Sequence, residues 1–438
     1  MSAPFAAPPS PRSSRGEGKG EGRLGQGAAV KGWCPGALRP MLSGDGLLVR
    51  IRISCGEVSL ALAHAIADWA QLYGNGALDL SARANLQLRG VSDATLPELG
   101  RRLAEAGLID ASPEAEAVRN VLVSPFAGLD PAVCDVRPYA RAWEQELATD
   151  RALWALPGKF GAAFDAGALA LGVDADLAFT AVAPHTFVVR LGGLAEIGPF
   201  PGAEVVGVAK ALARAFLALR ETPTPPKRMR DAVAVLAQGD MAAPLTLSPL
   251  TGRGNRQAAA RDWLGAHRLG EAAFVGVALP FGRIEAAQLR ALATLAAEAG
   301  ATGLRLTPWR ALLIACPSFA APGLAEAARS LGLILDPADP LVAVAACPGA
   351  PACASAQGDT RDAARHLAPL IAPGLALHVS GCDKGCAHPG PTALAVVATP
   401  DGYKLIRNGR ADAAPLAQRL TLAALADRLS MERPPDGV

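Results

Sequence analysis

LLVRIRISCGEVSLALAHAIADWA, from Leu47 to Ala70, opens a motif that the chain writes twice. Moved forward by 226 positions, the segment Leu47–Val91 falls on Ala273–Pro317 without a gap, and Gly56 meets Gly282. An alternating strand precedes each glycine, LLVRIRI in one copy and AFVGVAL (Ala273–Leu279) in the other. A helical stretch follows in each, Val58–Leu72 and Ile284–Glu298, with apolar residues at three- and four-residue steps. Leu78 then meets Leu304, Leu80 meets Leu306, Leu86 meets Leu312, and Leu88 meets Ile314. Strand, helix, strand, tight turn and strand make the core of a split βαβ, ferredoxin-like unit. A longer α/β stretch follows each copy, from about Ser112 to Gln238 and from about Pro337 onward. The Pro-rich stretch Glu221–Lys227 and the loop Ala242–Asn255 mark the seam between halves. The expected order is a disordered tail (1–32), ferredoxin-like unit 1 (33–108), a first α/β unit (109–240) and a linker (241–258). Ferredoxin-like unit 2 (259–336) and a second α/β unit (337–438) complete it. The fold class is therefore α+β, duplicated, with two small and two larger units in pseudo-twofold arrangement.

Only the second half carries a cysteine quartet. Cys347 and Cys353 enclose five residues, and Cys382 and Cys386 enclose three. Glycine, proline and alanine surround both pairs, so each reads as a tight loop with little side-chain bulk. A cubane iron–sulfur cluster needs four thiolates from converging loops, with backbone N–H groups aimed at sulfur. Structural zinc favours C-x2-4-C knuckles, and disulfides belong to oxidising compartments. The first half has Ser124 and Pro125 in the comparable stretch. A duplicated scaffold with one cluster-bearing copy suggests a site at the junction between halves.

Composition excludes several classes. Although 51% of the 438 residues are hydrophobic, no run of about eighteen apolar residues escapes charge or proline, so no transmembrane helix is expected. The Gly/Pro-rich N-terminus has no apolar core of a secretory signal, and eight cysteines then fit a reducing cytoplasm. A net charge of +2 and only three Tyr argue against nucleic acid as a partner. No G-x-G-x-x-G follows a strand and no Walker A sequence occurs, so the chain has no nicotinamide or flavin site of its own that can be recognised.

The repeat, the C-x5-C…C-x3-C quartet and SARANLQLRG (Ser81–Gly90) together resemble the nitrite and sulfite reductases, which bind siroheme beside a [4Fe–4S] cluster. Within that superfamily, KGWCPGALRPMLSGDGLLVRIR (Lys31–Arg52) resembles the precorrin-3B synthases, oxygen-dependent enzymes of cobalamin biosynthesis. The resemblance implies that Cys347, Cys353, Cys382 and Cys386 hold the cluster, with Cys386 nearest the tetrapyrrole. It implies catalytic roles for Arg83, Arg119 and Lys159, the last in LPGKFG (Leu156–Gly161). Where the reductases read PRKFK, this chain has Gly158 and Gly161 in place of two cations. Six-electron reduction of an oxyanion needs a cationic cage that also delivers protons, which favours the branch whose oxidant is neutral O2. The implied reaction hydroxylates precorrin-3A at C20 and closes a γ-lactone to give precorrin-3B. Electrons from NADH would come through a separate reductase or carrier. Two alternatives stand beside it: a siroheme-dependent sulfite or nitrite reductase, and a non-catalytic iron–sulfur carrier or tetrapyrrole-binding protein.

A substrate with many carboxylates calls for arginine and lysine. Arg39, Arg50, Arg52, Arg89 and Lys384 are the substrate-binding candidates beside the three named above. Arg50 and Arg52 share a strand face, as Arg83 and Arg89 would on a continuous strand. Lys384, between two cluster cysteines, would raise the cluster's potential or else be a solvated charge. The resemblance also implies a mononuclear non-haem iron, but no ligand spacing identifies its residues. His388 is the histidine placed closest to the chemistry, with His185 and His267 behind it and His64 and His366 on helical patterns. Cys34 has no partner at useful spacing, and Cys55, Cys134 and Cys316 read as small buried hydrophobes.

Overall fold

Two five-stranded sheets carry the repeat, and each borrows its last strand from the other half. In the first, Met41–Ser43, Gly46–Ile51, Leu86–Val91 and Ala77–Leu80 are completed by Arg283–Glu285. In the second, Gly265–Leu269, Ala272–Ala278, Ala311–Pro317 and Gly303–Leu306 are completed by Glu57–Ser59. These relations come from a computed structural model that describes residues 35–167, 171, 173, 175–236, 246–247, 262–269 and 272–431. The tail 1–32, Cys34 and all of the linker 241–258 except Thr246–Leu247 lie outside the described residues.

The duplication extends to backbone conformation. Cys55 and its repeat mate Phe281 both take positive φ (54° and 57°), and so do Ala84 and Arg310 (51° and 60°). The kinks at Cys55 and Phe281 turn the chain away from its own sheet, and the strands that follow, Glu57–Ser59 and Arg283–Glu285, join the other one. Helices Leu60–Tyr73 and Ala286–Glu298 then pack on each other. They bury repeat-equivalent positions: Ala63, Ile66, Ala67 and Ala70 in one, and Leu289, Leu292, Ala293 and Ala296 in the other. One apolar core consequently spans both ferredoxin-like units.

The larger units share a plan of three parallel strands followed by antiparallel ones. Val121–Val123, Ala162–Asp165 and Leu177–Ala183 form the parallel set in the first, packed around Trp143, Phe164, Phe179 and Phe216. Val344–Ala346, Leu377–Ser380 and Thr392–Thr399 form it in the second, over a smaller core. The expected duplicated α+β class is what the structure shows.

Each exchanged strand carries an ion pair, and the two pairs are inverted in sign. Asp79 faces Arg283 across one sheet, and the repeat mate Arg305 faces Glu57 across the other. Each carboxylate is then joined from a larger unit, Asp79 by one arginine and Glu57 by two. Helix Thr360–Leu367 supplies Arg361 to Asp79, and helix Arg137–Thr149 supplies Arg137 and Arg141 to Glu57. The four units are thereby joined at two charged knots.

Candidate functional site

Cys347 follows its strand directly and is buried beneath the first turn of helix Thr360–Leu367. The Thr360 hydroxyl donates to the Cys347 carbonyl (2.6 Å) and lies 3.7 Å from its sulfur. The second loop leaves strand Leu377–Ser380 and crosses the first at Gly381, whose N–H points at Cys347 Sγ (3.2 Å). Its carbonyl accepts from Gln357 N–H at 2.8 Å. This crossing requires glycine, because a Cβ on Gly381 would lie 2.5 Å from the Ala356 Cβ. Burial pushes the Cys386 thiol up. Lys384 opposes the rise, and the Cys382, Cys347 and Cys353 thiols add to it. Burial likewise raises Cys382, against the Lys384 N–H and with the other thiols. Four sulfurs that feel one another's charge in a polar-poor pocket are the donor set a cubane cluster neutralises. An N–H already aimed at sulfur is the accompanying hydrogen bond. Cys347, Cys353, Cys382 and Cys386 are thus the residues that would hold a [4Fe–4S] cluster, with the Gly381 N–H already directed at one sulfur. By residue surface Cys386 is the exposed member, although its thiol is enclosed enough for burial to be the main cause of its rise.

The second feature is a recess between the first ferredoxin-like unit and its larger unit. Arg83, Asn85, Asn120, Val121, Leu122, Gly161, Ala162 and Ala175 line it. The turn holding Arg83 is built by Ser81, whose hydroxyl accepts from Arg83 N–H and Asn85 N–H (3.3 and 3.2 Å). Arg83 Nη2 donates to the Lys159 carbonyl at 3.2 Å, and the Asn120 amide donates to the Gly158 and Phe160 carbonyls. The Arg83 side chain thus meets the backbone of Lys159, itself an exposed residue. A Cβ on Gly158 would meet nothing nearer than 3.8 Å, so the cation missing there is not excluded by space.

The ferredoxin-like half domain of nitrite/sulfite reductases matches residues 39–106 and 267–329. A precorrin-3B synthase from Sinorhizobium sp is 35% identical over 88% of this chain and 85% of its own. The chain belongs to the precorrin-3B synthase family. A ferredoxin–nitrite reductase from Synechococcus elongatus is 28% identical over 85% of this chain and 79% of its own. The Mycobacterium tuberculosis NirA protein shares the fold, with TM-score 0.68 and 22% identity over 90% of this chain and 82% of that one.

In this precorrin-3B synthase family member, most other arginines named from sequence are engaged internally. Arg119 makes a two-pronged bond to Asp110 (2.7 and 2.9 Å), donates to the Arg52 carbonyl and lies 3.7 Å from Glu144. Arg52 is buried beside Glu116, whose carboxylate also receives the Ala37 and Leu38 N–H groups. Arg39 pairs with Glu114 at the surface, and Arg50 stands opposite Gln87. Arg89 is buried among Asp45, Asp79 and the Ala352 carbonyl. The expected shared face for Arg83 and Arg89 is corrected, because the Ser81–Asn85 turn interrupts the strand and sends Arg83 to the recess. Lys384 is exposed beside Cys386. Cys55 and Cys316 are buried as expected, whereas Cys134 is only half-buried.

Among the described residues, no three His, Cys, Asp or Glu side chains are grouped closely enough to hold a metal ion, the cysteine quartet included. Ligands for the mononuclear iron that the family resemblance implied are therefore not identified among the described residues. His388 sits 5.9 Å, ring to ring, from His378, a residue that sequence reading missed. His378 is fully buried, its ring nitrogens make no hydrogen bond among the described residues, and a Cβ on Gly385 would lie 3.5 Å away. Burial holds His378 down to about 4, helped by His388 and Arg310. His267, His64 and His366 lie on other elements, and His185 sits in the turn between strands Leu177–Ala183 and Thr186–Leu191.

Proposed function

We propose that this protein is an oxygen-dependent hydroxylase of cobalamin biosynthesis. It would convert precorrin-3A to precorrin-3B by hydroxylation at C20 with γ-lactone closure. Family membership over most of the chain carries this reading, and Gly158 and Gly161, standing where an oxyanion reductase has cations, support it. One oxygen atom of O2 would enter the substrate and the other would leave as water, with two electrons and two protons supplied.

A [4Fe–4S] cluster on Cys347, Cys353, Cys382 and Cys386, when bound, supplies electrons one at a time. Arg83 and Lys159 would hold substrate carboxylates at the rim of the recess through charge-assisted hydrogen bonds. Arg119, locked onto Asp110, would act indirectly by fixing the wall behind that rim. Lys384 would favour the thiolate of Cys386 and face an incoming electron donor. That donor is a separate reductase or carrier delivering electrons from NADH.

The experiment uses anaerobically purified protein, precorrin-3A, reductant and isotopically labelled O2. One labelled oxygen in the product is expected. A siroheme Soret band with viologen-driven reduction of sulfite or nitrite would overturn the reading in favour of the reductase. Absence of oxygen uptake with substrate and reductant would leave only a carrier or binding protein.

A further inference from the structure

The carbonyl of Ala352, one residue before Cys353, is gripped by the first half of the molecule. Ser43 Oγ donates to it at 2.7 Å, Gly44 N–H at 3.1 Å and Arg89 Nη2 at 2.8 Å. Arg89 is 2% exposed, and its other contacts go to Ser43 Oγ (3.0 Å), Asp45 (2.8 Å) and Asp79 (3.3 Å). Asp79 also accepts from Arg283 and from Arg361 at 2.9 Å. Arg361 is the neighbour of Thr360, which binds the carbonyl of Cys347. Both ends of the Cys347–Cys353 loop are therefore tied, through Arg89 and Arg361, to one carboxylate of the other half. Glycine, proline and alanine fill the loop itself, so it has few side-chain contacts to hold it otherwise.

We infer that Arg89 is a positioning residue for the cluster: it seats the Cys347–Cys353 loop on the first half and places a counter-charge beside it. This rests on the cluster reading above. Arg89, Arg283 and Arg361 against Asp45 and Asp79 leave the knot with one net positive charge. A cation one residue from a ligating thiolate stabilises the more negative, reduced cluster and raises its potential. Arg89 thus acts through the loop and through its charge, without touching substrate.

The test uses full-length protein, wild type against Arg89→Met, Arg89→Lys and Ser43→Ala. Iron-free samples are followed by hydrogen exchange at the Cys353 and Ala356 amides. Samples reconstituted with iron and sulfide are followed by redox titration and by cluster loss to a ferrous chelator. Arg89→Met is expected to lose its cluster about tenfold or more faster, the loss anticipated for a charge-assisted hydrogen bond. Its midpoint potential should fall, and both amides should exchange faster. Arg89→Lys should restore the potential but only part of the loop protection, since an ammonium cannot reproduce the fork. If Arg89→Met does not fold, Ser43→Ala still removes one donor from Ala352 and one acceptor from Arg89 Nη2, with the Asp45 and Asp79 contacts in place, and must speed exchange at Cys353. Equal exchange and equal potential in all variants would overturn the inference. Failure of wild type to take up a cluster would sink the cluster reading instead, while hydrogen exchange would still judge the loop seat.

Discussion

The arginines that family motifs single out are chemically alike but sit in unlike surroundings, and this separates their roles. Arg83 is half-exposed at a recess, whereas Arg119 is enclosed with Asp110 and Glu144. Arg83→Ala should raise the KM for the tetrapyrrole tenfold or more and leave thermal stability nearly unchanged, as steady-state kinetics and melting would show. Arg119→Ala should instead destabilise by about 3–5 kcal/mol, because it strands buried carboxylates. A second residue-scale prediction concerns His378. Its folded pKa of about 4 lies below the ordinary value of 6.5, so the unfolded chain binds the extra proton between those limits. The neutral ring's contribution is full above pH 6.5 and is lost as pH falls toward 4, by on the order of 3 kcal/mol. In iron-free protein, His378→Leu should flatten stability against pH across that window. An unchanged slope would contradict it. No sequence signal marked His378: alternation in LHVS suggests a half-exposed strand, but a central parallel strand is covered on both faces.

At the scale of elements, the exchanged strands are the part that the sequence hid. The repeat was legible because apolar spacing and Gly56/Gly282 survive in both copies. The pairing of Asp79 with Arg283 spans 204 residues and has an inverted mate, so neither periodicity nor alignment of the copies discloses it. The cysteine loops were legible from spacing alone, but their seat on Ser43 and Arg89 was not, since it consists of bonds to a backbone carbonyl. Asp79 gives the element-scale prediction. Burial would raise its pKa, but Arg361, Arg283 and Arg89 override this and hold it down to about 2 from 3.8. Its contribution is therefore complete above pH 3.8 and disappears as pH falls toward 2. Asp79→Asn should cost several kcal/mol at pH 7, since it takes from Arg283 and Arg361 the carboxylate they share and leaves Arg89 with Asp45 alone, and should make acid unfolding less steep. Equal acid transitions in mutant and wild type would count against the knot.

For the whole molecule, a single core shared by two reciprocally completed sheets makes the halves interdependent. Residues 1–240 and 259–438 produced separately should each lack a cooperative melting transition, and produced together should co-purify. A cooperative melt from either piece alone would refute this. The fold class was legible in the sequence because duplication is a global property, whereas interdependence is decided by one kink residue per copy. The kinks at Cys55 and Phe281 also bear on biosynthesis of the chain. Strand Ala77–Leu80 emerges from the ribosome roughly 200 residues before Arg283–Glu285, a delay on the order of 10–40 s at about 5–20 residues per second. Through that interval the nascent chain presents an unfinished β-edge, the kind of surface on which strangers add strands. Translation speed and chaperone capture, more than final stability, should then govern how much active protein a cell obtains.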